Sequence, residues 1–90
     1  MATMTLTETT EMIQTLRTEA ASAGDESMVE MCDRVLGASV ELLDSDTGEQ
    51  LTAEELEIDA TRYVEACCES LDAGQPEGHV RVNGRRVYAA

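Results

Sequence analysis

The sequence predicts an α+β fold in a single small domain, residues 1–90: an antiparallel helical hairpin over 6–37, a third amphipathic helix over 52–73 and a β-hairpin over 79–89. Three observations predict it. Apolar residues recur at helical spacing in three stretches, Gly24-Asp25 separates the first two, and Asn83-Gly84 divides two short alternating runs.

The first helix opens with Thr5 and Glu8, three residues apart as in a capping box. Leu6, Ile13, Leu16 and Ala20 share one face, and Met12 widens it. Gly24 can take the left-handed conformation that closes a helix, and Asp25 can cap the next one through its side-chain oxygen. Met28, Cys32 and Val35 form the second stripe, broadened by Val29 and Leu36, with Gly37 as the stop. So short a link makes the two helices antiparallel neighbours. Ala20, Ala21 and Ala23 should let their backbones approach near the turn. The rest of the chain is expected to be organised around this pair. Met1–Met4, ahead of it, should be loose.

Val40–Leu43 reads as a short strand or as an added helical turn. Asp44–Glu49 is rich in turn formers. Leu51 then precedes Thr52, which with Glu55 makes a second capping box. The helix it starts carries Leu56, Ala60, Tyr63, Val64, Cys67 and Leu71 on one face; Gly74 ends it and Pro76 prevents its resumption. Residues 75–78 connect to the hairpin. Asn83-Gly84 supplies the positive φ angles of a two-residue type I′ turn, which pairs Val82 with Arg85, Arg81 with Arg86 and Val80 with Val87. Val80, Val82 and Val87 then share one face, and Arg81, Arg86, His79 and Tyr88 the other. A lone hairpin is marginal in water, so the valine face must be covered; Val40–Leu43 is the candidate third strand.

Composition narrows the function classes. Leu, Ile and Val number 17 of 90 residues, Phe is absent and net charge is −13, so the core must be thin. A homodimer interface or another partner can supply missing burial. Lysine is absent. Residues 1–77 hold all 19 acids and three arginines, whereas residues 78–90 hold three arginines and no acid. Such a field attracts cationic partners and repels nucleic acid and anionic membranes. Three cysteines make no even disulfide framework. There is no basic leader and no apolar run of ~20 residues, so the expected location is the cytoplasm, with reduced thiols.

The string Leu16-Arg17-x-Glu19-Ala20-x-x-Ala23-Gly24-Asp25-x-x-Met28-Val29-x-x-Cys32-Asp33-Arg34-x-Leu36-Gly37 covers about a quarter of the chain. It resembles a helical-hairpin pattern of short, mostly uncharacterised proteins of bacteriophages and other mobile elements. The resemblance implies a genomic setting more than an activity. With the charge and the size, it points to an inhibitor of the anti-CRISPR type, acting in the host cytoplasm.

Candidate sites follow from these residues. Asp44, Asp46 and Glu55 fall at positions one, three and twelve of a calcium loop, but Glu49 stands where the sharp turn needs glycine. Cys67 and Cys68 are adjacent and point about 100° apart on a helix, and His79 is the only histidine, so no metal or other cofactor is expected. No phosphate loop or nucleophile triad is present, so no catalysis is expected. The basic hairpin, Arg81, Arg85 and Arg86, is expected to answer acidic helices of this chain or of a second copy. An acidic face built from Glu26, Glu30, Asp33, Asp44, Asp46, Glu54, Glu57, Glu65 and Glu69 can present carboxylates to Arg and Lys clusters that normally bind phosphate. The expected function is therefore a non-enzymatic module that mimics nucleic acid and blocks a basic host protein or complex, without binding nucleic acid or membrane itself. Two rivals are a phage assembly protein that oligomerises through apolar helix faces and a small metal-binding protein.

Overall fold

The computed structural model describes residues 6–74 and 78–90, with side chains from Glu8 onward. The Thr5–Glu8 cap, the place of Leu6 on the first stripe and the connector over 75–77 lie outside the described residues. In chain order the elements are α1 (Leu6–Ala23), α2 (Glu26–Gly37), β1 (Leu42–Asp44), β2 (Gln50–Leu51), α3 (Ala53–Leu56), α4 (Ala60–Ala73), β3 (His79–Val82) and β4 (Arg85–Ala89). The fold is α+β.

The link between α1 and α2 forms as its residues dictate. Gly24 sits at φ 76°. The Asp25 N–H reaches the Ala20 carbonyl at 2.9 Å, and the Asp25 carboxylate accepts from the Met28 N–H at 3.1 Å. Ile13, Ala20, Cys32 and Val35 are buried along the seam, but Ala21 and Ala23 are exposed, so close approach at the turn rests on Ala20 alone. α2 ends at Gly37 as expected, but Gly37 is not its left-handed residue. The left-handed residue is Ser39, φ 52°, in a Schellman closure: the Ser39 N–H donates to the Leu36 carbonyl and the Val40 N–H to that of Val35. Val35 and Val40, the two ends of that closure, are both buried in the core.

The expected 52–73 helix is two helices. Thr52 and Glu55 make the capping box, each side chain meeting the other's N–H at 3.2 Å. One turn later Glu57 is left-handed, φ 58° and ψ 44°, and the Ile58 N–H closes on the Ala53 carbonyl. Asp59 then restarts the chain as α4 by accepting from the Arg62 N–H at 2.9 Å. The hairpin turn holds this break in place. The Asn83 side-chain amide donates to the Leu56 carbonyl at 2.8 Å and to that of Glu57 at 3.1 Å. Asn83 thus supplies both a positive φ for the type I′ turn and a cap for α3.

The sheet is antiparallel, in the order β2-β1-β4-β3. β3 and β4 pair in the expected register, Val80 with Val87 and Arg81 with Arg86. Of Val40–Leu43, only Leu42 and Leu43 are strand, Val40 belonging to the closure of α2: β1 places Leu42 opposite Ala89 and Leu43 opposite Tyr88. The two-residue β2 covers the far edge of β1.

The centre of the molecule is α4 rather than the α1–α2 pair. It packs on β1, β3 and β4 and on α1 and α2. Tyr63, Val64, Ala66, Cys67, Cys68 and Ser70 are all buried, an arc of roughly 200° at ~100° per residue. Two hydroxyls on that arc bind the sheet to the helix. The Tyr63 hydroxyl accepts from the Leu42 N–H at 3.1 Å and donates to the Leu51 carbonyl at 3.4 Å. The Ser70 hydroxyl donates to the Gly78 carbonyl and accepts from the Ala89 N–H at 2.8 Å. Gly78 lies so close that an added Cβ would stand 2.8 Å from the Ser70 carbonyl oxygen, so only glycine fits.

Candidate functional site

On α2 the residues 26, 30 and 33 return to one face at ~100° per residue, and on α4 the residues 65, 69 and 72 do the same. Glu30, Met31 and Arg34 of α2 and Glu65, Cys68, Glu69 and Asp72 of α4 line an open groove of about 440 Å³ between the two helices. Its floor is apolar, from Met31 and Cys68, and its walls are mainly carboxylate. Glu26 and Glu30 also border the neighbouring hollow by the α1–α2 turn.

Arginines neutralise part of this surface. Arg34 meets Asp72 at 2.7 Å, Arg62 meets Glu69 at 3.2 Å, and Arg17 pairs with Asp33 through two nitrogens. The hydrogen bond from Arg17 holds the Asp33 carboxyl below its ordinary range. Among the described residues, Glu26, Glu30 and Glu65 meet no arginine.

The nine carboxylates of the expected acidic face therefore separate into groups. On the helical side Glu30, Glu65 and Glu69 line the α2–α4 groove, Glu26 joins Glu30 at the neighbouring hollow, and Asp33 turns to Arg17 of α1. Asp44 and Asp46 lie with Arg81, Arg85 and Arg86 around the hairpin turn, and Glu57 lies beside Asn83. Glu54 is on the exposed side of α3. Asp44 shapes its own turn, because its side chain accepts the Asp46 N–H at 2.8 Å and the Thr47 N–H at 3.1 Å. Those bonds hold its pKa below the ordinary value, and Arg85 stands 3.8 Å away. The calcium-like stretch is thus a β1–β2 hairpin turn, with Gly48 at φ 75°, followed by a capped helix.

Around the hairpin, the outward face of the sheet carries Leu43, His79, Arg81, Arg86 and Tyr88. The His79 and Tyr88 rings lie 5.3 Å apart and tilted, and the Ser45 hydroxyl meets His79 Nδ1 at 2.7 Å. Arg81 and Arg86 stand directly opposite each other, and among the described residues neither meets a carboxylate. The sequence could show this cross-strand pair, but not that Asp44, in the same hollow, pairs with Arg85 instead.

All three cysteines are free and buried. Burial pushes each thiol up, Cys67 to about 12, so none is a ready thiolate. Among the described residues no three His, Cys, Asp or Glu side chains are grouped to hold a metal ion. Among them, too, no helix is long and apolar enough to cross a membrane.

No family model, curated protein or solved structure matches the chain.

Proposed function

We propose that the protein is a non-enzymatic binding module that docks the acidic walls of the α2–α4 groove on a basic surface of a host nucleic-acid-binding complex and blocks it, in the manner of an anti-CRISPR inhibitor. One observation carries the reading. Glu26, Glu30 and Glu65 stand on rigid helices beside the groove with no arginine among the described residues to answer them. Carboxylates fixed this way offer charge-assisted hydrogen bonds to guanidinium and ammonium groups that otherwise hold phosphate. Net charge of −13 speeds encounter with such a surface. The helical-hairpin pattern shared with phage and mobile-element proteins supports the setting by analogy.

The test is a DNA-displacement assay. The protein is added to a panel of purified CRISPR effector complexes and target-DNA binding is followed by mobility shift. Displacement by the wild type from at least one complex, and its loss in Glu26→Gln/Glu30→Gln/Glu65→Gln, is the expected result. Undisturbed DNA binding across the panel would overturn the anti-CRISPR assignment. Displacement that survives the triple substitution would overturn the groove as its surface.

A further inference from the structure

The outward face of the sheet is left open by the helices, all of which lie on the other side with α4. Four strands spaced ~4.8 Å apart, each two to five residues long at ~3.4 Å per residue, make a face roughly 15 Å across. Its most unusual feature is Arg81 opposite Arg86. Like charges placed directly across a ladder repel. Asp44 and Asp46 border the same hollow, but among the described residues the one ion pair formed there goes from Asp44 to Arg85, and neither Arg81 nor Arg86 makes one. On the helical side the reverse defect occurs: Glu26 and Glu30 are one turn apart on α2, also repel, and meet no described arginine. Both pairs have side-chain origins about 5–6 Å apart.

We propose that the open sheet face docks on a second copy of this chain, with Arg81 and Arg86 of one protomer meeting Glu26 and Glu30 of the next. Each contact replaces two same-sign repulsions with two ion pairs at matching spacing. The two patches are different surfaces, so the contact is head-to-tail and leaves one patch free at each end of an assembly. A foreign polyanion matches the face less well. A duplex carries a negative charge every ~1.7 Å, which the 16 net negative charges of residues 1–77 oppose. Self-association does not depend on the proposed host target, since it concerns the purified chain alone, but the two share Glu26 and Glu30. Pairing between copies would therefore mask the acidic surface until a more cationic partner displaces it.

Two opposing fields give the contact an unusual salt profile. Two copies of charge −13 repel at long range, while the facing patches attract at contact. At 0.01 M salt the screening length is ~30 Å, comparable with the 38 Å molecule, and repulsion prevails. Near 0.1 M it is ~10 Å, so distant charges are screened while touching ones still attract; at 1 M it is ~3 Å and both fade. The face is small beside the ~800 Å² per partner of a stable complex, so association is weak and is sought at high protein concentration.

Sedimentation velocity at 0.01, 0.1 and 1 M NaCl, up to about 1 mM protein, tests this. The expected mass exceeds the 9.7 kDa monomer at 0.1 M and returns towards it at both extremes. Arg81→Gln/Arg86→Gln and Glu26→Gln/Glu30→Gln, all at exposed positions, should each be monomeric. Mixed, each retains the patch the other lacks, so together they should form a capped dimer and nothing larger. A monomer at every salt concentration would overturn the proposal. So would association that keeps rising to 1 M, which would mean an apolar seam. A monomer that binds a labelled single-stranded oligonucleotide through Arg81 and Arg86 would overturn it in favour of nucleic acid.

Discussion

Replacing Tyr63 by Phe removes one oxygen and leaves the ring. That oxygen is the hydrogen-bond acceptor for the Leu42 N–H, inside a core where Leu42 is 0% and Tyr63 1% exposed. The register gives Leu42 partners on both sides, Leu51 and Ala89, and the Tyr63 hydroxyl sits between the Leu42 N–H and the Leu51 carbonyl on the β2 side. Without the hydroxyl the Leu42 N–H and the Leu51 carbonyl each lose one partner in a core closed to solvent. Removing one partner of a buried hydrogen-bonded group costs ~1–3 kcal/mol, and we take about 2 kcal/mol. For a domain of this size each kcal/mol moves the melting temperature by ~4–8 °C, so Tyr63→Phe should melt ~8–16 °C lower. That is a large share of a total stability of roughly 5–13 kcal/mol. Urea unfolding followed by circular dichroism should show a lower midpoint with an unchanged slope, because the buried surface is the same. Amide exchange at Leu42 should quicken locally. A loss under ~0.5 kcal/mol with Leu42 still protected would refute the idea that this hydroxyl joins α4 to the sheet.

Other predictions test neighbouring points. Ser70→Ala orphans the Ala89 N–H and should cost ~1–3 kcal/mol in the same urea assay. Gly78→Ala should also destabilise, because its methyl has no room against the Ser70 carbonyl. Ser39→Gly and Glu57→Gly each relieve a left-handed non-glycine residue, worth ~1–2 kcal/mol, against a chain-entropy loss of ~0.5–1. Each should therefore gain roughly 0.5–1 kcal/mol, read as a higher melting temperature. The Cys67 thiol is raised in the folded state from 9.0 to about 12, so its contribution is complete below pH 9 and is lost as pH climbs from 9 towards 12. Stability should fall by up to ~1.4 kcal/mol per pH unit for this group in that window, and Cys67→Ala should flatten the slope.

Local chemistry was legible where one residue type answers one backbone need. Asn83-Gly84 fixed the hairpin register, Thr52 and Glu55 the start of α3, and Gly24-Asp25 the α1–α2 turn. The break at Glu57 carried no such mark, since a left-handed glutamate is paid for by tertiary bonds from Asn83, 26 residues away in sequence. Ser39 hides in the same way behind Gly37. β2 is two residues long, too short for any periodicity. Ser70 reads as a polar position on a helix until its hydroxyl is seen between Gly78 and Ala89. The acidic residues were visible from the sequence, but not their division. Which carboxylates meet an arginine depends on helix packing, and this left Glu26, Glu30 and Glu65 without one among the described residues while Asp33, Asp44 and Glu69 acquired partners.

If the unanswered carboxylates beside the α2–α4 groove perform recognition, affinity must follow both their charge and the salt that screens it. The most direct measurement is the affinity for a captured host complex from 50 to 500 mM NaCl, for the wild type and for Glu26→Gln/Glu30→Gln/Glu65→Gln. The wild type should weaken steeply with salt, and the variant should show both a lower affinity and a shallower slope. Equal affinities, unchanged across that salt range, would contradict recognition by these groups.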